Sequence, residues 1–533
     1  MSYPFAKPLR HPSPRDRELP PIEKAAALIH AAKTDLDASA WICDLVPVEM
    51  FSDICLRVYF SEKFSESDLI IANSGLLQLF LERSETTLEG KSENDSYTLM
   101  CRINLESALV DLPLHLPATA DMITALLLGA MHAIEISKPS LAWTLSSKAW
   151  ELCQTLGYHQ LSPSKYDTIS DEMRPKQLLF WILYFIDKNL SLRLGRASNI
   201  QNWDITTPML PLHGTRSPLG ATVAMWINTA RCRGDVYQSL YSPEALSQPN
   251  HVRQSRAEAL SSELHEIERK SREVNDHYLQ EARQRFGNRI VEFMTLCDDV
   301  LRLSLLTLIY RASPPPEESS SAFIPHCIEA ARATLQRHQD FLSVFKDVNS
   351  LYFSTYVHWA LLLAPFTPFI VLFCHVIECQ DETDLNRLQA FITSMESTPT
   401  LSEAAAKMHR LFQVLYQVAL RYLENFSSDS NGGQPQSNAT LNAYLTTLGL
   451  PILNQDIHHQ GSSALSSNRS PGVNSQQAME GALDTLRGLD GQEGIYPTVW
   501  MGNRNGLEEW FNGNHQMIDL LEEPSFNFPP QSQ

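Results

Sequence analysis

The chain has 533 residues, 43% of them hydrophobic and 19% charged, which is enough apolar material to bury a core over most of its length. Asp and Glu outnumber Lys and Arg by 61 to 42, for a net charge of −19. That balance excludes a broad DNA-binding face, which needs clustered cations against phosphate, unless a small basic module or a partner supplies one.

Residues 1–19 are polar and Pro-rich, with Lys7, Arg10, Arg15 and Arg17 spread through them. They read as a disordered, weakly basic lead without the apolar run of a secretory signal. From 20 to 426 the chain is a succession of amphipathic helical patterns. Ser65 followed by Asp68 caps an apolar run, and residues 119–136 and 140–157 repeat apolar positions at three- and four-residue spacing. Gly157 stands where a glycine ends the second of these helices. Residues 178–186 (LLFWILYFI) are apolar all round, so their helix belongs at the centre of the fold.

Residues 253–286 form a long charged helix with Leu260, Leu264, Ile267, Val274 and Tyr278 along one stripe. Two readings fit that stripe: a short dimer seam, or packing on its own domain, which the polar Ser271 within it favours. SPPPEESSS (313–321) is an interhelical loop. Tyr356 to Ile377 lacks Asp, Glu, Lys and Arg over a length that would span a bilayer, but Pro365 and Pro368 interrupt it. Two short buried helices explain it, and no membrane association is expected. No strand-like alternation survives over a comparable length, so the fold class is all-α, a helical repeat or bundle. After 426 the composition turns to Ser, Asn, Gln and Gly. This gives a flexible linker over 427–488, with one docked helix allowed at 439–453, and then an acidic, aromatic tail over 489–533.

Signs of catalysis are missing. No Walker loop, GxGxxG, HExxH or GxSxG occurs, and the nine scattered cysteines, odd in number, suit reduced intracellular thiols better than a disulfide framework. Cys374 and Cys379 lack a second close pair and read as core thiols; His458 and His459 lie in the polar linker. Asp298-Asp299-Val300-Leu301-Arg302 is the one candidate for the aspartate-rich magnesium motif of a terpene-synthase-like enzyme, kept as a remote alternative. An Arg ends it where a carboxylate is needed, so a surface pair near a helix start is the simpler account. No catalytic, cofactor-binding or metal-binding residue is assigned.

The segment FWILYFIDKNLSLRLGRASNIQNWDITTPMLP (180–211) resembles the signature of the fungal-specific transcription factor domain, the middle homology region of binuclear zinc-cluster regulators. The matching positions are Phe180, Trp181, Tyr184, Asp187, Ser191, Leu192, Leu194, Gly195, Arg196, Ile200, Asp204, Ile205 and Pro208; Ala197 departs from the usual proline. The resemblance implies an all-α regulatory domain over 20–426, without catalytic residues, in a nuclear protein. It also implies an N-terminal zinc cluster of six cysteines, yet the first cysteine here is Cys43, so no zinc-cluster cysteines and no zinc are expected in this chain. DNA contact is then expected only indirectly or through a missing N-terminal module, and the partners the resemblance implies are a second copy of the chain or a zinc-cluster heterodimer partner. Physically the signature reads as a structural joint, with Arg196 paired to Asp187 or Asp204 where Gly195 leaves the helix. An inducer pocket has no mark in the sequence.

The tail between Gly506 and Phe526 holds five acidic residues and no Lys or Arg. Leu507, Trp510 and Phe511, then Met517, Leu520 and Leu521, form two apolar triplets at i, i+3, i+4 spacing. Such a segment docks as a short helix in a groove of a coactivator or of the general transcription machinery, or else folds back on its own domain. The reading is a transcription regulator, activator or co-regulator, of a fungal metabolic or secondary-metabolite gene set. The alternative is a clusterless co-regulator or inhibitor that dimerises with a zinc-cluster partner.

Overall fold

The structure, a computed structural model, describes residues 18–34, 45–87, 90–161, 173–210, 220–315, 322–345, 350–363 and 366–429. Among them every regular element is a helix. Through Tyr416 they form one compact unit. The end of the last helix, from Gln417, belongs to a second unit of which nothing further is described.

The first half is a stack of paired helices: α1 (Ile22–Thr34), α2 (Val48–Phe60), α3 (Glu66–Thr86), α4 (Lys91–Val110), α5 (Ala120–Glu135), α6 (Pro139–Thr155) and α7 (Met173–Leu194). Successive helices pack most heavily as α3 on α4 and α5 on α6. Local chemistry sets their ends. The Ser65 hydroxyl accepts from the Asp68 amide at 3.1 Å while the Asp68 carboxylate accepts from the Ser65 amide at 3.1 Å, a reciprocal cap on α3. Thr119 caps α5 through the Met122 amide, 3.2 Å away. Gly157 follows α6 with φ 70°, the left-handed turn expected of it. Residues Met122 to Ile134 of α5 are all buried, and its Gly129 lets neighbours close in: a Cβ there would lie 2.7 Å from Leu109 Cδ2. The first described residues already engage this stack, as Tyr59 donates to the Pro20 carbonyl and Asn104 to that of Glu18, both at 2.8 Å.

The second half comprises α8 (Gly220–Val236), α9 (Asn250–Arg311), α10 (Pro325–Phe345), α11 (Ser350–Tyr356, continued by a π turn to Leu362), α12 (Thr367–Cys379), α13 (Glu382–Ser394) and α14 (Glu403–Asp429). α9 is two helices in one. It breaks at Gly287 (φ 83°, ψ 161°), and Arg302 Nη1 lies 2.9 Å from Glu268 Oε2 although 34 residues separate them. A straight helix would hold those residues roughly 50 Å apart. His265 likewise reaches the Tyr310 hydroxyl, at 3.2 Å. The arms therefore fold back on each other as a hairpin. Aromatic stacks join α10 to α11, with Tyr356 on Phe341 at a centroid distance of 3.9 Å, and α12 to α14, with Phe369 on Phe412 at 4.2 Å.

The seam stripe thus serves its own domain where its side chains are described, with Leu260 and Leu264 buried in the unit and Ile267 partly so. No single helix among the described residues is long and apolar enough to cross a membrane. The candidate span is two pieces bent by 65°, and Pro368 sits harmlessly in the first turn of the second. Pro365, Cys43, the lead through 17, most of the 313–321 loop, the linker from 430 on, helix 439–453 and the tail with Leu507, Trp510, Phe511, Met517, Leu520 and Leu521 lie outside the described residues, while residues 427–429, read as the start of the linker, complete α14.

Candidate functional site

The signature is a joint between the buried helix α7 and the extended strap that follows it. Trp181 Nε1 and Gln177 Nε2 both donate to the Pro208 carbonyl, at 2.8 and 2.7 Å, and the Tyr184 hydroxyl donates to Asn202 Oδ1 at 2.7 Å. Trp181, Tyr184 and Phe180 pack edge-on or tilted, with Trp150 of α6 against Phe180. Gly195 adopts φ 60°, and the Arg196 amide reaches back to the Ser191 carbonyl at 2.9 Å, closing the helix. Asp204 takes a 3.1 Å hydrogen bond from Gln160, while the Thr206 and Thr207 amides donate to the His159 carbonyl, tying the strap to the end of α6.

The expected Arg196 ion pair does not form. Arg196 is exposed just past the left-handed turn, whereas Asp187 faces inward beneath the loop. Its carboxylate accepts from the Ser198 hydroxyl and from the Asn199 and Ile200 amides, the amides at 3.1 and 3.3 Å. Burial pushes the Asp187 carboxyl above the ordinary carboxylate range, against the opposing pull of Ser198, Lys188 and the two amides. The cation of the joint is Lys188, unremarked in the sequence. It is buried, donates to the Ile200 carbonyl at 2.6 Å and lies over the Tyr184 ring at 5.1 Å. Gly234 of α8 makes room for it, since a Cβ there would lie 2.7 Å from Lys188 Cδ. A lysine inside an apolar helical run carries no sign of the glycine that accommodates it.

A second feature has no sequence mark at all. A cavity of about 970 Å³ opens within the compact unit, walled by helices from both halves of the chain. Leu178, Ile182, Phe185 and Asn189 form one stripe of α7 along it, so this all-apolar helix buries one face in the core and turns another to the cavity. Trp226 of α8 stacks near Phe185, with centroids 6.0 Å apart. Its indole N–H donates to both oxygens of Asp298, at 2.9 and 3.0 Å. On another wall, Gln78 Nε2 donates to both oxygens of Glu135, at 3.1 and 3.3 Å. Both carboxyls are deep in the protein yet keep some accessible area, which is cavity wall. Burial pushes each up to about 7, against its neutral N–H donor. Among the described residues neither forms a salt bridge. The arginines around them are engaged: Arg302 with Glu268 and Asp299, at 2.9 and 3.0 Å, and Arg337 with Asp299, at 3.2 Å. Arg233, fully buried, donates to Asn189 and acts on Asp298 through the field alone.

The Asp298-Asp299 pair is accordingly no surface feature near a helix start. It lies well past the Gly287 break, facing inward, and its neighbours Trp226, Arg302 and Arg337 leave no paired-carboxylate face for magnesium. Cys374 is buried as read, but Cys379 is exposed at the end of α12. His375, Asp381 and Asp384 bring potential ligand atoms within 4.8 Å of one another. Arg332 bridges both aspartates, at 2.9 and 2.7 Å, and Arg387 adds a third contact at 3.0 Å, so guanidinium groups already hold the carboxylates that a cation would need.

Residues 79–214 match the fungal specific transcription factor domain, a span that contains the whole joint. The chain is 24% identical over 328 residues to an uncharacterized transcriptional regulatory protein of Schizosaccharomyces pombe, covering 57% of this chain and 50% of that protein. It is 27% identical over 233 residues to protein STB5 of Saccharomyces cerevisiae, covering 40% of this chain and 31% of that one. A 93-residue stretch is 32% identical to the lactose regulatory protein LAC9 of Kluyveromyces lactis, 17% of this chain and 10% of that protein. The chain spans about half the length, or less, of these curated relatives. No solved structure matches it.

Proposed function

Because the chain carries a fungal specific transcription factor domain over residues 79–214, we propose that it is a non-enzymatic regulator of transcription that acts in the nucleus. The domain match carries this reading, together with relatives that bear the names of regulators. The joint supports it physically: Asp187, Lys188, Trp181 and Gln177 spend their polar atoms on holding a strap to a helix and leave none poised over a substrate. With a net charge of −19, DNA contact falls to a partner or to a separate basic module. The lactose regulatory relative favours a metabolic gene set.

The acidic tail is the activating part in this reading. Its carboxylates keep two apolar triplets soluble and speed encounter with basic coactivator surfaces, and the triplets fill the groove. Fused to an unrelated DNA-binding domain, residues 506–526 are expected to activate a reporter. Replacing Trp510 and Phe511 together with Ala abolishes that activation, whereas Glu508→Gln with Glu509→Gln only weakens it. A silent fusion, expressed at a normal level, sinks the activator assignment.

A further inference from the structure

The cavity presents two carboxylates to which the described residues supply no direct cation. Among the described residues, Glu135 is met only by the Gln78 amide and Asp298 only by the Trp226 indole, both neutral donors that orient a carboxylate without neutralising it. The wall between polar groups is apolar and aromatic, with Phe185 and Trp226 beside Asp298 and with Met131, Ile182 and Leu363 elsewhere. Aromatic faces and a half-buried carboxylate without an ion pair are together the chemistry that recognises an ammonium group. An anion finds no such welcome, since Arg102, Arg272, Arg302 and Arg337 already hold carboxylates and Arg233 donates to Asn189. The volume suits a single molecule of drug-like size.

We propose that this cavity is a binding site for a predominantly apolar amine, whose ammonium pairs with the carboxylate of Asp298 or Glu135 while its body lies along the α7 stripe and Trp226. In the regulatory reading such an amine is the input that the middle domain senses. Binding itself does not depend on that reading and is tested without a reporter.

The test uses the full chain and two probes: dansylcadaverine, an ammonium on an aromatic body, and its neutral N-acetyl derivative, each titrated by fluorescence at pH 8. The wild type is expected to bind the ammonium probe at least tenfold more tightly than the neutral one. In the E135Q/D298N double variant that preference disappears, while affinity for the neutral probe stays within about twofold, which shows that the cavity is intact. The single variants show which carboxylate holds the charge. Equal affinities in the wild type, or no binding of either probe, overturn the proposal. A preference that survives in the double variant also overturns it, because attraction to the acidic surface then accounts for the binding.

Discussion

At the scale of single residues, the two acidic groups of the joint and the cation beside them divide their roles by direction rather than by sequence distance. Asp187 points under the loop and holds two amides and a hydroxyl, so its removal orphans buried donors. Asp187→Ala is expected to destabilise the unit by about 2–4 kcal/mol, read from denaturant midpoints, and Arg196→Ala by less than about 0.5 kcal/mol. Equal effects would contradict this assignment of the joint. The cavity carboxyls make a pH prediction. Burial raises Glu135 from its ordinary 4.5, and Asp298 from 3.8, to about 7. The fold therefore favours their protonated forms, and the stability they contribute is complete below the ordinary carboxylate range and lost as pH rises through about 7. Since each unit of displacement is worth about 1.4 kcal/mol, the E135Q/D298N variant should be more stable than wild type at pH 8 than at pH 5 by at least roughly 2 kcal/mol. Parallel pH profiles of melting temperature would show that neither group is displaced.

At the scale of elements, two glycines set how helices meet. Gly287 has φ 83° and ψ 161°, a conformation open almost only to glycine, and the arms it joins are clamped by Glu268 and Arg302. Gly287→Ala should cost about 1–3 kcal/mol and loosen hydrogen-exchange protection in both arms. Gly129 acts by closeness instead of torsion. An added Cβ would meet Leu109 at 2.7 Å and Leu145 at 3.3 Å, so Gly129→Val should overpack the contact of α5 with α4 and α6 by about 1–3 kcal/mol. Unaltered melting of either variant would mean that the contact yields more freely than a packed core does. The helix ends were legible beforehand, because a cap is a local event: Ser65 with Asp68, and Gly157, act within four residues of themselves.

For the whole molecule, charge is the dominant statement. A chain with net charge −19 repels the phosphate backbone wherever cations are not clustered. This polypeptide alone should bind duplex DNA no more tightly than about 1 μM at physiological salt. Sequence-specific nanomolar retardation in a gel-shift assay would show that it contacts DNA without help.

The sequence by itself determined the helical class and located the 180–211 segment, because periodicity, caps and signature spacing are written within a few turns of chain. It misassigned the joint's cation, since whether Arg196 or Lys188 faces inward depends on the turn at Gly195 and on the missing side chain of Gly234 on another helix. It also took Asp298-Asp299 for a surface pair. Only the tertiary structure decided that they face a cavity, because α9 folds back at Gly287 and brings Asp298 under Trp226, 72 residues earlier in the chain. A cavity is the space that distant helices leave between them, and no stretch of sequence encodes it.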